Sequence, residues 1–457
     1  MQKTNKMGDA PMLRLIASMS LPAMFSMLIQ ALYNIVDSIF VSQLGEDALT
    51  AVSLAFPIQM LIISFAVGTG VGLNSLVSRR LGERRQADAD AAATHGMILG
   101  AASWVIFAIV GGLFTRPFIS LFSGGNNTVL DMGSEYLWVC IVFSFGVFLE
   151  LPAEKTLQAT GNMIFPMLFQ LTGAILNITL DPIFIFGLLG VPAFGVKGAA
   201  IATVLGQIGA MLFALCIIFF KKHDVHITFR KFRWHWRIVR DIYAVGVPSI
   251  IMQSIGSFLV MGLNAILAQF QSAVAVLGIY FKLQSFVFMP VFGLTQGILP
   301  IMGYNYGARN KQRLMHALKI GTIAAIVIMT AGTLLFWLGT DWLLSLFKAT
   351  PEQAPNMYAT GVDALHMISL SFIPAAVGIL FSTLFQATGF GVRSLIVSVL
   401  RQLVVILPCA WAFSFISVHA VWYAFPLAEV VSFIVSLLLF WSLYNQHIRH
   451  LAPEAAV

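Results

Sequence analysis

Apolar residues run through this chain in long stretches that cover every face of a helix, and polar residues gather in short segments between them. Such stretches can cross ~30 Å of hydrocarbon as helices. They predict twelve spans, at roughly 15–42, 49–77, 91–115, 131–157, 163–188, 196–220, 238–268, 274–302, 314–340, 358–384, 392–417 and 419–444. Turn signals punctuate them: "SGGNN" at 123–127, "ATGN" at 159–162, "GVPAFG" at 190–195 and "ATPEQAP" at 349–355. The runs do not alternate, which excludes a barrel. The expected class is an all-α polytopic membrane protein.

Composition agrees. The 457 residues are 59% hydrophobic and 10% charged, with a mean hydropathy of +0.88. A soluble domain carries about 25% charged residues. The net charge of +7 would suit a nucleic-acid partner, but the charges lie in short loops, where they set membrane orientation instead. With both termini in the cytoplasm, Arg116, Lys197 and Lys348 fall outside and Lys282 and Arg401 fall within spans. The remaining 21 of 26 basic residues then sit in cytoplasmic segments or at cytoplasmic helix ends. "SRRLGERR" and "KKHDVHITFRKFRWHWRIVR" dominate that bias, while the first outer loop, "QLGEDAL", is acidic. The polar start, with Lys3, Lys6 and Arg14, lacks a cleavable signal pattern, so the first span is expected to remain. Cys140, Cys216 and Cys409 all lie in apolar segments and read as small packing residues.

The two halves resemble each other. "SLP" at 20–22 pairs with "GVP" at 246–248, "GTGVG" at 68–72 with "GLTQG" at 293–297, and "LQATG" at 157–161 with "FQATG" at 385–389. The offsets are 226, 225 and 228 residues. Six spans have been duplicated, and an even number makes the repeats parallel. This predicts two pseudo-symmetric six-helix bundles, residues 1–220 and 238–457, joined by the basic cytoplasmic linker 221–237. Paired bundles that rock about a central cavity suggest transport.

Polar residues inside spans are few. A carboxylate at the centre of a membrane helix costs roughly 2.5–3.5 kcal/mol on insertion scales. Asp37 nonetheless sits within "ALYNIVDSIFV", sharing a helical face with Gln30 and Asn34. Asn177 and Asp181 are one turn apart in the fifth span, and Thr203 lies in "GAAIAT" of the sixth, whose small residues permit close helix contact. Converging, these groups would make an oxygen-rich pocket for a hard cation or a shared proton. Interhelical hydrogen bonding alone is the other reading. Pro182 follows Asp181, while Pro22 and Pro248 sit early in the first spans of the two halves, where they can allow bending. Glu154 lies toward the cytoplasmic end of the fourth span. The second half holds Lys282, His366, Arg401 and Glu429 instead. Snorkelling or an internal ion pair is one account of Lys282 and Arg401, and lining a substrate cavity is the other.

The segments "LYNIVDSIFVSQLGEDALTAVSLAFP", "GVGLNSLVSRRLGERR", "LQATGN", "NITLDPIFIFG", "GVKGAAIATVLGQ" and "GLTQGILPIMGYNYGARN" together resemble the MATE (multidrug and toxic compound extrusion) family, in its DinF-like and MepA-like branches. The resemblance spans nearly the whole chain. It implies twelve helices in two lobes and export of drugs against inward flow of Na⁺ or H⁺. It places the cation at Asp37, Asn177, Asp181 and Thr203, with the backbone of Ala199, and gives Pro22 the bending role. Glu154 matches an acid of the MepA-like exporters and is expected to help attract cationic substrate. NorM-like members carry acids in the seventh and tenth helices. Here the seventh has Gln253 and no acid, and the tenth has Asp363 only at its outer end.

The expectation is an H⁺- or Na⁺-coupled antiporter in the cell membrane. It would work as a monomer, without a cofactor or nucleic acid, on small-molecule drugs. The runner-up is a lipid-linked saccharide flippase, which would need several cavity Arg or Lys for a pyrophosphate. Only Lys282 and Arg401 qualify. No H-E-x-x-H or P-loop pattern supports an enzyme or ATP drive.

Overall fold

The computed structural model describes residues 5–230, 232–270 and 272–451. Lys3, Lys231 and both chain ends, which entered the charge pattern, lie outside the described residues.

Twelve apolar spans are present among the described residues when two bent pairs each count as one. They are α1 (Met12–Ser42), α2 (Glu46–Gly82), α3 (Gln86–Phe122), α4 (Asn127–Val142 with Phe145–Ala159), α5 (Ile164–Phe186) and α6 (Val196–Phe220). The second set is α7 (Trp236–Leu267), α8 (Ala273–Gly307), α9 (Lys311–Leu338), α10 (Pro355–Ser369 with Phe372–Ala387), α11 (Gly391–Ser414) and α12 (Val418–Ile448). A helix is the form that satisfies every backbone group inside lipid, so the apolar runs become helices whatever their local propensities. Exposed apolar residues such as Leu113, Ile106 and Leu121 clothe the outside, as lipid contact requires. The chain is a multi-pass membrane protein.

Two spans drawn as single helices are broken. α4 bends by 41° and α10 by 45°. Each break holds a serine whose hydroxyl donates to the carbonyl three residues back: Ser144 to Ile141 (2.7 Å) and Ser371 to Ile368 (2.5 Å). A side chain that competes for helical carbonyls bends a helix, and in α10 Pro374 also leaves the Leu370 carbonyl without a helical donor. α11 contains a π-helical stretch at Leu400–Ile406.

The repeat reappears as backbone geometry. After α4, Gly161 (φ 89°) donates to the Gln158 carbonyl and Asn162 to that of Leu157. After α10, Gly389 (φ 92°) donates to Gln386 and Phe390 to Phe385. Both are Schellman caps, in which a left-handed residue lets the next amide reach back to the last helical turn. The turn after α2 places Arg84 at φ 57°, and that after α8 places Arg309 at φ 54°.

The chain falls into two compact units. One comprises Met1–Met24 and Ile251–Val457, the other Phe25–Ile250. The boundaries therefore lie inside α1 and α7, 226 residues apart, and neither falls in the basic segment between α6 and α7. Both helices run on through their prolines, Pro22 and Pro248.

In the Phe25–Ile250 unit, the start of α7 rests directly on α2. A Cβ on Gly72 would strike the Ile242 carbonyl, and one on Gly68 would strike Ile250. In the other unit the start of α1 rests on α8 in the same way, with Gly293 against Met24 and Gly297 against Ser20. The glycines of "GTGVG" and "GLTQG" are thus the points where backbones meet, which is the physical content of that repeat. The basic segment is strapped to α3: Asp90 Oδ1 accepts from the His226 amide (2.9 Å), and the His235 amide donates to His95 Nε2 (3.0 Å).

Candidate functional site

α5 and α6 form the tightest pair in the Phe25–Ile250 unit, and small residues make this possible. Gly206 lies against the Gly173 carbonyl and the Cβ of Asn177, and Gly198 lies against the Phe184 carbonyl. The close approach brings polar side chains from the two helices into contact. Asn177 Nδ2 donates to Asp181 Oδ1 (3.5 Å) on its own helix and to Thr203 Oγ1 (3.3 Å) on α6. Asn177 is 3% exposed and Asp181 fully buried. Ala199, also buried, precedes Thr203 by one turn on the same face. Pro182 has no N–H, so the Ile178 carbonyl loses its helical donor next to this group.

Asp37 approaches from α1. The C-terminal ends of α1 and α5 meet through Phe40 and Phe186, whose ring centroids are 6.3 Å apart. The Asp37 charge acts directly on Asp181, and on Tyr33, Tyr136 and Cys140 as well. Tyr136 accepts from Gln59 Nε2 (3.2 Å).

Three buried oxygens here have no hydrogen-bond partner among the described residues: Asp37 Oδ1, Asn177 Oδ1 and Asp181 Oδ2. Buried polar atoms are rarely left unpaired, and such exceptions ask for a missing ion, proton or water. All three are acceptors, and Thr203 Oγ1 adds a fourth oxygen. A donor set of carboxylates, an amide and a hydroxyl suits a hard monovalent cation, and the two acids can equally hold a proton.

The remaining sequence candidates are spread more widely. Gln30 is half-buried and Asn34 exposed, and neither side chain hydrogen-bonds to the acidic group. Pro22 lies earlier in α1. Glu154 is 4% exposed and enclosed: it accepts from Lys155 Nζ (2.9 Å) and Gln158 Nε2 (2.7 Å) at Oε1, and from Gln170 Nε2 (3.1 Å) at Oε2. Lys282 is exposed, with its ammonium 5.9 Å from the centroid of the Phe347 ring. Arg401, in the π-helical stretch, pairs with Glu429 at 3.1 Å, the internal ion pair that was one of its two readings. Asp363 pairs with His419, and His366 contacts Thr340 Oγ1 and stacks on Trp337.

The sequence reading passed over Glu150, Lys155, Gln170 and Gln207. Glu150, Glu154 and Gln158 recur every four residues on one face of α4, a signal as clear as the Asn177–Asp181 spacing. A cavity of about 60 Å³ is lined by Tyr33, Glu150, Gln170, Asn177, Thr203 and Gln207, among others.

Comparison with known proteins follows the same repeat. The MatE family model matches residues 22–183 and again 248–411. Among curated proteins, the chain is 26% identical over 430 residues to an FAD transporter of Shewanella oneidensis, covering 93% of each chain. It is 28% identical over 403 residues to the multidrug export protein MepA of Staphylococcus aureus, covering 87% of this chain and 86% of that one. Among solved structures, an outward-facing multidrug resistance MATE family transporter of the MOP superfamily superposes with a TM-score of 0.91 at 30% identity, covering 98% and 99%.

Proposed function

Because the chain belongs to the MatE family, we propose that it is a cation-coupled antiporter that exports amphipathic, often cationic organic compounds by alternating access. Its class, a membrane transporter of the MATE family, follows from the family match and its relatives. The coupling reading rests on one observation above all: Asn177 bridges Asp181 and Thr203 in the membrane interior, with Asp37 in electrostatic range and three acceptor oxygens unpartnered. Burying two acids without cations would be costly, and a bound Na⁺ or proton offsets that cost. The membrane potential favours inward movement of that cation by roughly 2.3 kcal/mol per charge per 100 mV.

We read residues 1–220 and 238–457 as the two lobes of the transport cycle, with both termini in the cytoplasm of a cell-membrane protein that acts as a monomer. Asp37, Asn177, Asp181, Thr203 and the backbone of Ala199 hold the ion, and bending near Pro22 accompanies the cycle. Glu154, Lys282 and Arg401 are assigned to the substrate path.

A second reading concerns cargo. The FAD transporter relative, aligned over 93% of this chain, supports an anionic nucleotide-type substrate as the alternative cargo. One experiment tests both. Proteoliposomes carrying the protein are assayed for ethidium and for FAD movement under an imposed pH gradient or an imposed Na⁺ gradient. Ethidium movement driven by either gradient supports the first reading. FAD movement alone selects the second, and movement indifferent to both gradients refutes ion coupling.

A further inference from the structure

Glu150 belongs to none of the roles above, yet it is a buried acid with an unpartnered oxygen. It lies in α4, is 5% exposed, and its Oε1 has no hydrogen-bond partner among the described residues. The charges that act on it are those of Glu154 and Lys155. Lys155 is committed to Glu154 at 2.9 Å and to Gln158 at 3.1 Å. Two carboxylates with one ammonium leave this cluster one positive charge short when both acids are ionised. An uncompensated buried carboxylate is expensive, and a glutamine there could hydrogen-bond without that penalty.

Glu150 also has a route to the ion site. It lines the same cavity as Asn177 and Thr203. About 60 Å³ is room for about two to four waters. Polar side chains recur along both walls: Thr203 and Gln207 are one turn apart on α6, and Gln170 and Asn177 two turns apart on α5. Gln170 is tied to Glu154 at 3.1 Å. Tyr33 of α1 is the remaining titratable group on the wall, and it feels Glu150 as well as Asp37.

We propose that Glu150 is a second carboxylate station for the coupling cation, a proton or a monovalent metal ion, exchanging with the Asp37–Asp181 site through this water-sized cavity. The cation supplies the charge that the Glu150–Glu154–Lys155 cluster lacks. Lys155 is paired with Glu154, so Glu150 is the member left to load and unload. This rests on the coupling reading above, and its test separates the two.

Wild type, E150Q, E150D and D181N are reconstituted in proteoliposomes, with ²²Na⁺ uptake and a trapped pH dye as readouts of ion flux during ethidium exchange. Dye response without ²²Na⁺ identifies the proton as the occupant, and the reverse identifies Na⁺. E150Q is expected to unfold at the wild-type temperature and to bind ethidium normally, while ion flux falls about tenfold or more. E150D keeps the carboxyl and recovers at least part of the flux. Wild-type flux in E150Q overturns the proposal while D181N, inactive, leaves the coupling reading intact. Absence of gradient-linked flux in wild type removes both. Should E150Q fail to insert, Q207L decides: replacing a polar wall residue of the cavity by an apolar one of similar size must slow ion flux, and unchanged flux overturns the proposal.

Discussion

Lys155 donates to Glu154 Oε1 across 2.9 Å, and the two side chains are 6% and 5% exposed. Removing one partner of such a pair leaves a bare charge, with a penalty of about 3–5 kcal/mol. Lys155→Ala is therefore expected to lower stability by that amount, while Glu154→Gln with Lys155→Met should recover most of it. Thermal unfolding of detergent-solubilised protein measures both. A single mutant as stable as wild type would show that the pair is not buried as described.

Asp37→Asn and Asp181→Asn keep side-chain shape and remove the charge. Each should leave membrane insertion unchanged and reduce gradient-driven export by about tenfold or more. Because the Asp37 charge acts on Asp181 and both are read as parts of one ion site, the double mutant is expected to be no worse than either single one. Half-activity in each single mutant, multiplying in the double, would point to independent roles.

Asp363 tells the two units apart. It pairs with His419 with both side chains about half exposed, 48% and 51%. Such a pair contributes less than about 1 kcal/mol. Asp363→Asn should weaken transport modestly at most and leave cation binding in place. Loss of ²²Na⁺ binding or proton release on Asp363→Asn, with retention on Asp181→Asn, would move the ion site to the Ile251–Val457 side.

Gly72 admits the Ile242 carbonyl of α7 so closely that a single methyl group would collide with backbone. Gly72→Ala is expected to destabilise by about 1–3 kcal/mol, the range for overpacking a tight contact. Gly124→Ala serves as the reference for a site with open space, although its positive φ adds a strain of its own. Equal unfolding temperatures for Gly72→Ala and wild type would mean that α2 and α7 are not in backbone contact.

The spans and their duplication were legible because lipid leaves the backbone only one solution, and because the glycine and turn motifs recur for geometric reasons. The left-handed Gly161 and Gly389 end their helices identically. Asn177, Asp181 and Thr203 were legible because one-turn spacing puts polar groups on one face. The breaks in α4 and α10 were not read: α4 breaks at a serine, and in α10 Pro374, which leaves the Leu370 carbonyl without a helical donor, was passed over. A serine bends a helix only when its hydroxyl turns back on the backbone, which composition does not reveal. The enclosure of Glu154 was hidden for a similar reason. Lys155 was counted among the positive charges of cytoplasmic segments and helix ends, yet its long side chain turns inward to a carboxylate on the same helix.

The placement of the unit boundaries inside α1 and α7 has a bearing on how the gene can be divided. The basic segment looks like the natural place to cut. A fragment ending there would lack residues 236–250, which close over Gly68 and Gly72. The complementary fragment would lack Met1–Met24, which covers Gly293 and Gly297. Each fragment would leave a groove of bare glycine backbone that its own residues cannot fill. The two pieces would have to be synthesised together and trade helix ends before either reached its native packing.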